Sequence, residues 1–127
     1  MKRRHHELQL WQEAIKLVTD IYRLTESFPP HELYGLASQM RRSAISIPSN
    51  IAEGAARGST KEFFRFLTIA RGSLSELDTQ LTIAAELGYI DVENFSRKRM
   101  EDVFGLLGGL MNSIKGSVDR QRHRPDS

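Results

Sequence analysis

Arg57, Lys61 and Arg65 step through the sequence by four, and Lys61 and Arg65 fall on one face of a helix that begins near Thr60. A helix start offers free backbone N–H groups and the positive end of a dipole, so phosphate is the natural ligand there. A chain folded back and forth would bring Lys2, Arg3, Arg4, Lys115, Arg120, Arg122 and Arg124 to the same end. Contact with nucleic acid through backbone charge is one reading of this cluster. Ordinary solvation of charged tails is the other. A second unusual stretch runs from Ser46 through Ile47, Pro48, Ser49, Asn50, Ile51, Ala52 and Glu53 to Gly54. Arg42, Ser46, Ser49 and Glu53 share a polar face there. Pro48 removes a backbone N–H and so frees a carbonyl for an Asn or Ser donor. A kinked packing seam accounts for this pattern, and a polar contact to another subunit or a ligand is its alternative.

Catalytic and metal-binding patterns are not found. The four histidines are His5, His6, His31 and His123, none of them at helical spacing with a carboxylate as HExxH requires. No Glu is followed by His three residues later, so the di-iron bundle signature is absent. The run Gly58-Ser59-Thr60-Lys61 lacks the spacing of a phosphate loop and reads as a helix cap. Glu76 and Asp78 face different directions on a helix and cannot act as a pair. Glu53 is expected to meet a basic partner on a neighbouring helix, a structural role. With no cysteine, disulfides, thiolate metal sites and a cysteine nucleophile are excluded. The sequence predicts a protein that is not an enzyme and has no cofactor.

Placing these groups requires a scaffold. The 127 residues are one domain's worth, with 18 basic and 16 acidic groups, 39% apolar and 27% charged residues. The N-terminus is charged and lacks the apolar core of a signal peptide. The longest apolar stretch, Val103 to Met111, contains three glycines and is far shorter than the about 20 residues a bilayer requires. A soluble, cytoplasmic protein with no membrane partner is expected.

Helical periodicity runs throughout and period-two alternation is absent. The first predicted helix, Glu7 to Phe28, carries two apolar stripes: Trp11, Ile15, Val18 and Tyr22, beside Leu10, Ala14, Leu17, Ile21, Leu24 and Phe28. Pro29 and Pro30 end it. The second, from about Glu32 to Arg57, holds Leu33, Ala37, Met40, Ala44, Ile47 and Ile51 in phase across Pro48, which predicts one kinked helix. The third, about Thr60 to Leu87, opens on a Ser59–Glu62 capping box and keeps heptad spacing from Phe63 to Ala84. Gly88 is its stop, and Asp91 the expected N-cap of a fourth helix over about Val92 to Val118. Gly105, Gly108 and Gly109 signal either the close approach of another helix or mere tolerance.

Four such helices predict an all-α, antiparallel up-down-up-down bundle over residues 7–118, flanked by basic tails at 1–6 and 119–127. The apolar faces of the first and third helices exceed what one bundle buries, which predicts self-association. In this order residues 1–13, 53–65 and 112–127 share one end, with ten basic against six acidic groups. Residues 20–32 and 78–96 share the other, with one basic against seven acidic.

Three stretches carry a resemblance to a known family. They are Leu33-Tyr34-Gly35-Leu36 with Gln39-Met40-Arg41-Arg42; Ser46 to Gly54 followed by Arg57-Gly58; and Phe66-Leu67 through Ala70-Arg71-Gly72-Ser73-Leu74 with Glu76-Leu77 and Thr79-Gln80-Leu81. Trp11 with Ala14 and the Leu87-Gly88-Tyr89-Ile90 turn agree. Over about residues 8–115 the chain resembles the bacterial four-helix-bundle proteins first found encoded in intervening sequences of large-subunit ribosomal RNA genes, often labelled ribosomal proteins. The resemblance implies a left-handed antiparallel bundle, a homopentamer, and no catalytic residues. It also implies kinship with the accessory protein of diversity-generating retroelements, a positively charged pentamer that binds a reverse transcriptase and nucleic acid. The present chain departs from that pattern, because residues 5–118 hold 12 basic and 14 acidic groups. The expected function is an oligomeric scaffold that binds RNA or a nucleoprotein through Arg3, Arg4, Arg57, Lys61, Arg65, Arg120, Arg122 and Arg124. The competing expectation is a protein-only assembly or adaptor module. Arg42, Ser46, Pro48, Ser49, Asn50 and Glu53 are the candidate kink or subunit-contact residues.

Overall fold

Apolar residues repeating every three to four positions form four α-helices in the computed structural model, which describes residues 8–91 and 97–122. These are α1 (Gln9–Thr25), α2 (Leu36–Ala56), α3 (Thr60–Glu86) and α4 (Lys98–Arg122), with a 3-10 turn at Pro30–Glu32. Among the described residues there is no strand. Each helix packs on its neighbours in chain order, and α4 closes back onto α1. The α2–α3 seam is the most extensive. Cross-helix pairs run in opposite senses: Ser46 meets Ser73, while eight residues later Gly54 meets Phe66. The molecule is an all-α four-helix bundle.

The core is the set of stripes facing inward. Leu10, Ala14, Leu17 and Ile21 of α1 are buried against Met40, Ala44, Ile47 and Ile51 of α2, Leu67 to Ala84 of α3, and Met100, Val103, Leu107 and Met111 of α4. Each fully buried Leu or Ile contributes about 1.5–3 kcal/mol relative to exposure. The second α1 stripe lies at the edge: Trp11 and Val18 are half-buried, and Ile15 and Tyr22 are exposed.

Several boundaries differ from the periodicity. The first helix ends at Thr25, three residues early, yet Phe28 is still buried and its ring lies 5.4 Å from that of Tyr89. The second begins at Leu36, not Glu32. The 3-10 turn and the non-helical backbone of Gly35 intervene, and Glu32 Oε1 accepts from the Leu36 amide at 3.2 Å. Leu33 therefore leaves the α2 stripe and is 49% exposed. The helix runs unbroken through Pro48, so the continuous apolar phase correctly indicated one helix rather than two.

Ser59 caps α3 as expected, its Oγ accepting from the Glu62 amide at 3.3 Å. The Glu62 carboxylate turns instead to Arg65. Gly88 ends α3 with φ +78°, and the Gly88 and Tyr89 amides reach Ala85 and Ala84 carbonyls, a Schellman closure. The fourth helix starts at Lys98, so Asp91 is not its N-cap. It continues to Arg122, so the first residues of the expected C-terminal tail are helical. A Cβ on Gly105, Gly108 or Gly109 would meet nothing within 4 Å, so these glycines serve no close approach among the described residues. The close approach falls at Gly54, where a Cβ would lie 2.7 Å from Phe66 Cβ and 3.0 Å from Phe63 Cδ1.

Candidate functional site

Three surfaces gather polar or exposed apolar groups. The first is the end where α1 starts, α2 passes into α3 and α4 nears its finish. Leu8, Gly58, Ser59, Thr60 and Ser117 line one cleft of about 380 Å3 there. Among the described residues, no charged side chain lines that cleft. Arg57 and Arg65 flank the Phe66 ring, each guanidinium 4.9 Å from its centroid. Both are already engaged: Arg57 Nη2 lies 2.7 Å from Glu53 and Arg65 Nε 3.5 Å from Glu62. Glu53 thus finds its basic partner at the end of its own helix, not on a neighbouring one. Lys61 and Lys115 are exposed. Arg3, Arg4 and Arg124 lie outside the described residues, as do the side chains of Arg120 and Arg122.

At the opposite end, the window that held one basic against seven acidic groups stops just short of Arg97, Lys98 and Arg99. These three change the balance to four against seven. Arg97 Nη1 reaches Asp78 at 2.7 Å. Arg99 bridges α4 to α1, with Nε 2.6 Å from Asp20 and Nη1 2.8 Å from Glu13. Hydrogen bonding to Asp20, with Glu13 adding to it, raises the Arg99 pKa above its ordinary value. Glu32 and Tyr89 also meet here. The Leu36 amide and the Tyr89 hydroxyl hold the Glu32 carboxyl below its ordinary range, and Glu32 raises the Tyr89 phenol.

The second surface is the Pro48 stretch. Pro48 is buried, and Asn50 Nδ2 donates to the Ser46 carbonyl at 2.7 Å and to Ser46 Oγ at 2.9 Å. Ser46 Oγ in turn meets Ser73 Oγ of α3 at 2.8 Å. Ser46 and Asn50 are therefore residues of the α2–α3 packing seam, while Pro48 is buried on another side of α2. Ser49 and Glu53 face solvent. Arg42 belongs to neither.

Arg42 lies on the third surface, a groove of about 490 Å3 between α1 and the first half of α2. Tyr22, Leu33, Tyr34 and Ile45 form its apolar lining, all exposed, with Tyr34 at 93%. Arg41 is fixed beside it: Nε donates to Thr25 Oγ1 at 2.8 Å, and the guanidinium lies 4.7 Å above the Tyr22 ring. Thr25 Oγ1 in turn donates to the Ile21 carbonyl at 2.8 Å. Arg42 is exposed and has no ion-pair partner among the described residues. Among the described residues, no carboxylate lines the groove. An aromatic, aliphatic and cationic surface of this kind suits a protein partner that brings apolar side chains and a negative charge.

Periodicity did not point to this groove. Tyr22 and Ile15 were visible as surplus apolar residues on α1. Ile45 lies off the α2 stripe, and Leu33 was assigned to the core. The 3-10 turn that moves Leu33 and Tyr34 outward has no such periodic signature.

Among the described residues, no three His, Asp or Glu side chains are arranged to hold a metal, and no helix is long and apolar enough to cross a membrane. A model of the 23S rRNA-intervening sequence protein family matches residues 6–104. No curated protein matches the sequence.

Proposed function

The chain belongs to the 23S rRNA-intervening sequence protein family, and from that membership we propose a non-catalytic cytoplasmic scaffold that assembles with copies of itself, five to a ring. The observation that carries this reading is the groove between α1 and α2, where Tyr22, Leu33, Tyr34 and Ile45 remain exposed. Contiguous apolar surface of this kind marks an interaction site in a soluble bundle. The charged groups that the fold brings together, such as Arg99 with Asp20 and Glu13, tie helices to one another. That use supports a scaffold rather than a catalyst. Light scattering at micromolar concentration tests the assembly. A mass several times 14.5 kDa is expected, and a mass of 14.5 kDa overturns it.

The scaffold's proposed second property is binding of RNA or a nucleoprotein at the end that carries Arg57, Lys61 and Arg65. Exposed Lys61 and the start of α3 support it. The competing protein-only adaptor draws support from the same place, because Glu53 and Glu62 already occupy Arg57 and Arg65. Titration with single-stranded RNA at rising salt separates the two. Binding that weakens steeply with salt and is lost in Lys61→Glu/Arg65→Glu supports the RNA reading. Absent binding supports the adaptor, and binding unchanged in that variant rejects this end as the RNA surface.

A further inference from the structure

A second apolar patch lies on α3, away from the core. Ile69 and Ile83 are 40% and 44% exposed, and Glu76 stands midway between them. The spacing of seven keeps all three on one face, a stripe about 21 Å long. Leu87, also exposed, extends it by one turn. Glu76 has no ion-pair partner among the described residues, which is also true of Arg42 in the groove. The molecule therefore carries two apolar surfaces of opposite charge: one with Arg41 and Arg42 and no carboxylate, the other centred on Glu76.

We infer that copies join head to tail, the α1–α2 groove of one copy receiving the outer face of α3 from the next. This rests on the self-assembly reading above and names its two surfaces. Charge decides between the alternatives. A two-fold contact of groove on groove would enclose both copies of Arg42 in one interface, and one of α3 on α3 would enclose both copies of Glu76. Like charges enclosed at an interface are strongly unfavourable. The crossed contact sets Arg42 against Glu76 and covers Tyr22, Tyr34 and Ile45 with Ile69 and Ile83. Such a contact is heterologous, so repeating it produces a closed ring or an open chain, never a closed two-fold dimer.

The chain has no cysteine, which allows a direct test in the full-length protein. Arg42→Cys and Glu76→Cys are surface substitutions, and a bifunctional thiol reagent with an arm of about 10 Å reads which copies meet. Each variant alone should yield no cross-linked product. Their mixture should yield covalent dimers only. The double variant Arg42→Cys/Glu76→Cys should yield a ladder whose highest rung counts the copies in a ring. Efficient self-cross-linking of either single variant overturns the head-to-tail contact. So does an uncross-linked mixture that is itself oligomeric by light scattering. A wild-type mass of one chain rejects the underlying assembly itself, a separate result. Charge exchange is the second measurement. Arg42→Glu or Glu76→Arg alone should weaken association about tenfold, and the two together should restore most of it. Equal weakening in the combined variant overturns the pairing.

Discussion

The seam between α1 and α4 and the groove between α1 and α2 use the same side-chain types to opposite ends. At the first, Arg99 reaches across to Asp20 through Nε and to Glu13 through Nη1, and its guanidinium is half-buried. At the second, Arg41 turns inward to Thr25 and Tyr22, while Arg42 has no ion-pair partner among the described residues and the aromatics beside it stay open. The α2–α3 seam is tighter still, drawn in at Gly54 and joined by Ser46 and Ser73. A bundle held together along its other seams tolerates an open groove on one side. That difference separates residues that hold the fold from residues available to a partner, and substitutions can test it.

The largest loss is expected at Gly54. A side chain there runs into Phe66 Cβ, which cannot swing away from its own backbone, and into the Phe63 ring at Cδ1. Gly54→Val should cost about 3 kcal/mol, the upper end of overpacking penalties, and lower the melting temperature by more than 10 °C. A variant that melts with the parent would mean that the α2–α3 seam is looser than its geometry.

Next is Arg99→Ala. It removes two charge-assisted hydrogen bonds at a partly exposed site and leaves Glu13 and Asp20 near one another without their shared cation. About 1–2 kcal/mol of stability should be lost, measured by urea denaturation. Loss of helix association without loss of helix would show as reduced cooperativity, placing the damage at the α1–α4 seam.

Acid should act locally at the turn before α2. The Glu32 carboxyl is held below its ordinary range, so its contribution is present at neutral pH and lost as the pH falls through its lowered pKa. Protonation weakens acceptance from the Leu36 amide. Amide exchange at Leu36, corrected for intrinsic rates, should therefore accelerate only once the pH has fallen below the ordinary glutamate range. An unchanged protection factor down to pH 2 would remove Glu32 from the cap.

How far the sequence led differs between the seams for the same physical reason. Stripes at three- and four-residue spacing gave α1 from Leu10 to Ile21 and α3 from Leu67 to Ala84, because burial along one helix leaves a periodic trace. Local chemistry made the Ser59 cap and the Gly88 stop legible too. The Ser46–Asn50 seam could be read because Pro, Asn and small residues cluster within one turn. Arg99 with Glu13 was not legible: 86 residues separate them, and no periodicity links such a pair. Leu33 was misplaced because its spacing fits α2 while Gly35 breaks the helix between them. Gly54 closes the small-residue stretch without being marked as its contact, and Gly105, Gly108 and Gly109 leave close approach and tolerance open, since a glycine's neighbours depend on packing rather than on how glycines cluster along the chain.

The smallest effect on stability, and the clearest separation of the two kinds of residue, is expected at Tyr34. Its ring is almost wholly in water in the single chain, so Tyr34→Ala removes little buried surface and should change unfolding free energy by less than about 0.5 kcal/mol. If the groove receives a neighbouring copy, the same ring becomes buried there, and truncation should weaken association by about 1–2 kcal/mol, roughly tenfold. Denaturation and light scattering on one preparation read the two numbers together. A variant that loses stability without losing mass would make Tyr34 part of the fold, and one that loses neither would close the groove as a contact. Only loss of association at constant stability matches a surface that the bundle leaves unfilled within one chain and fills between chains.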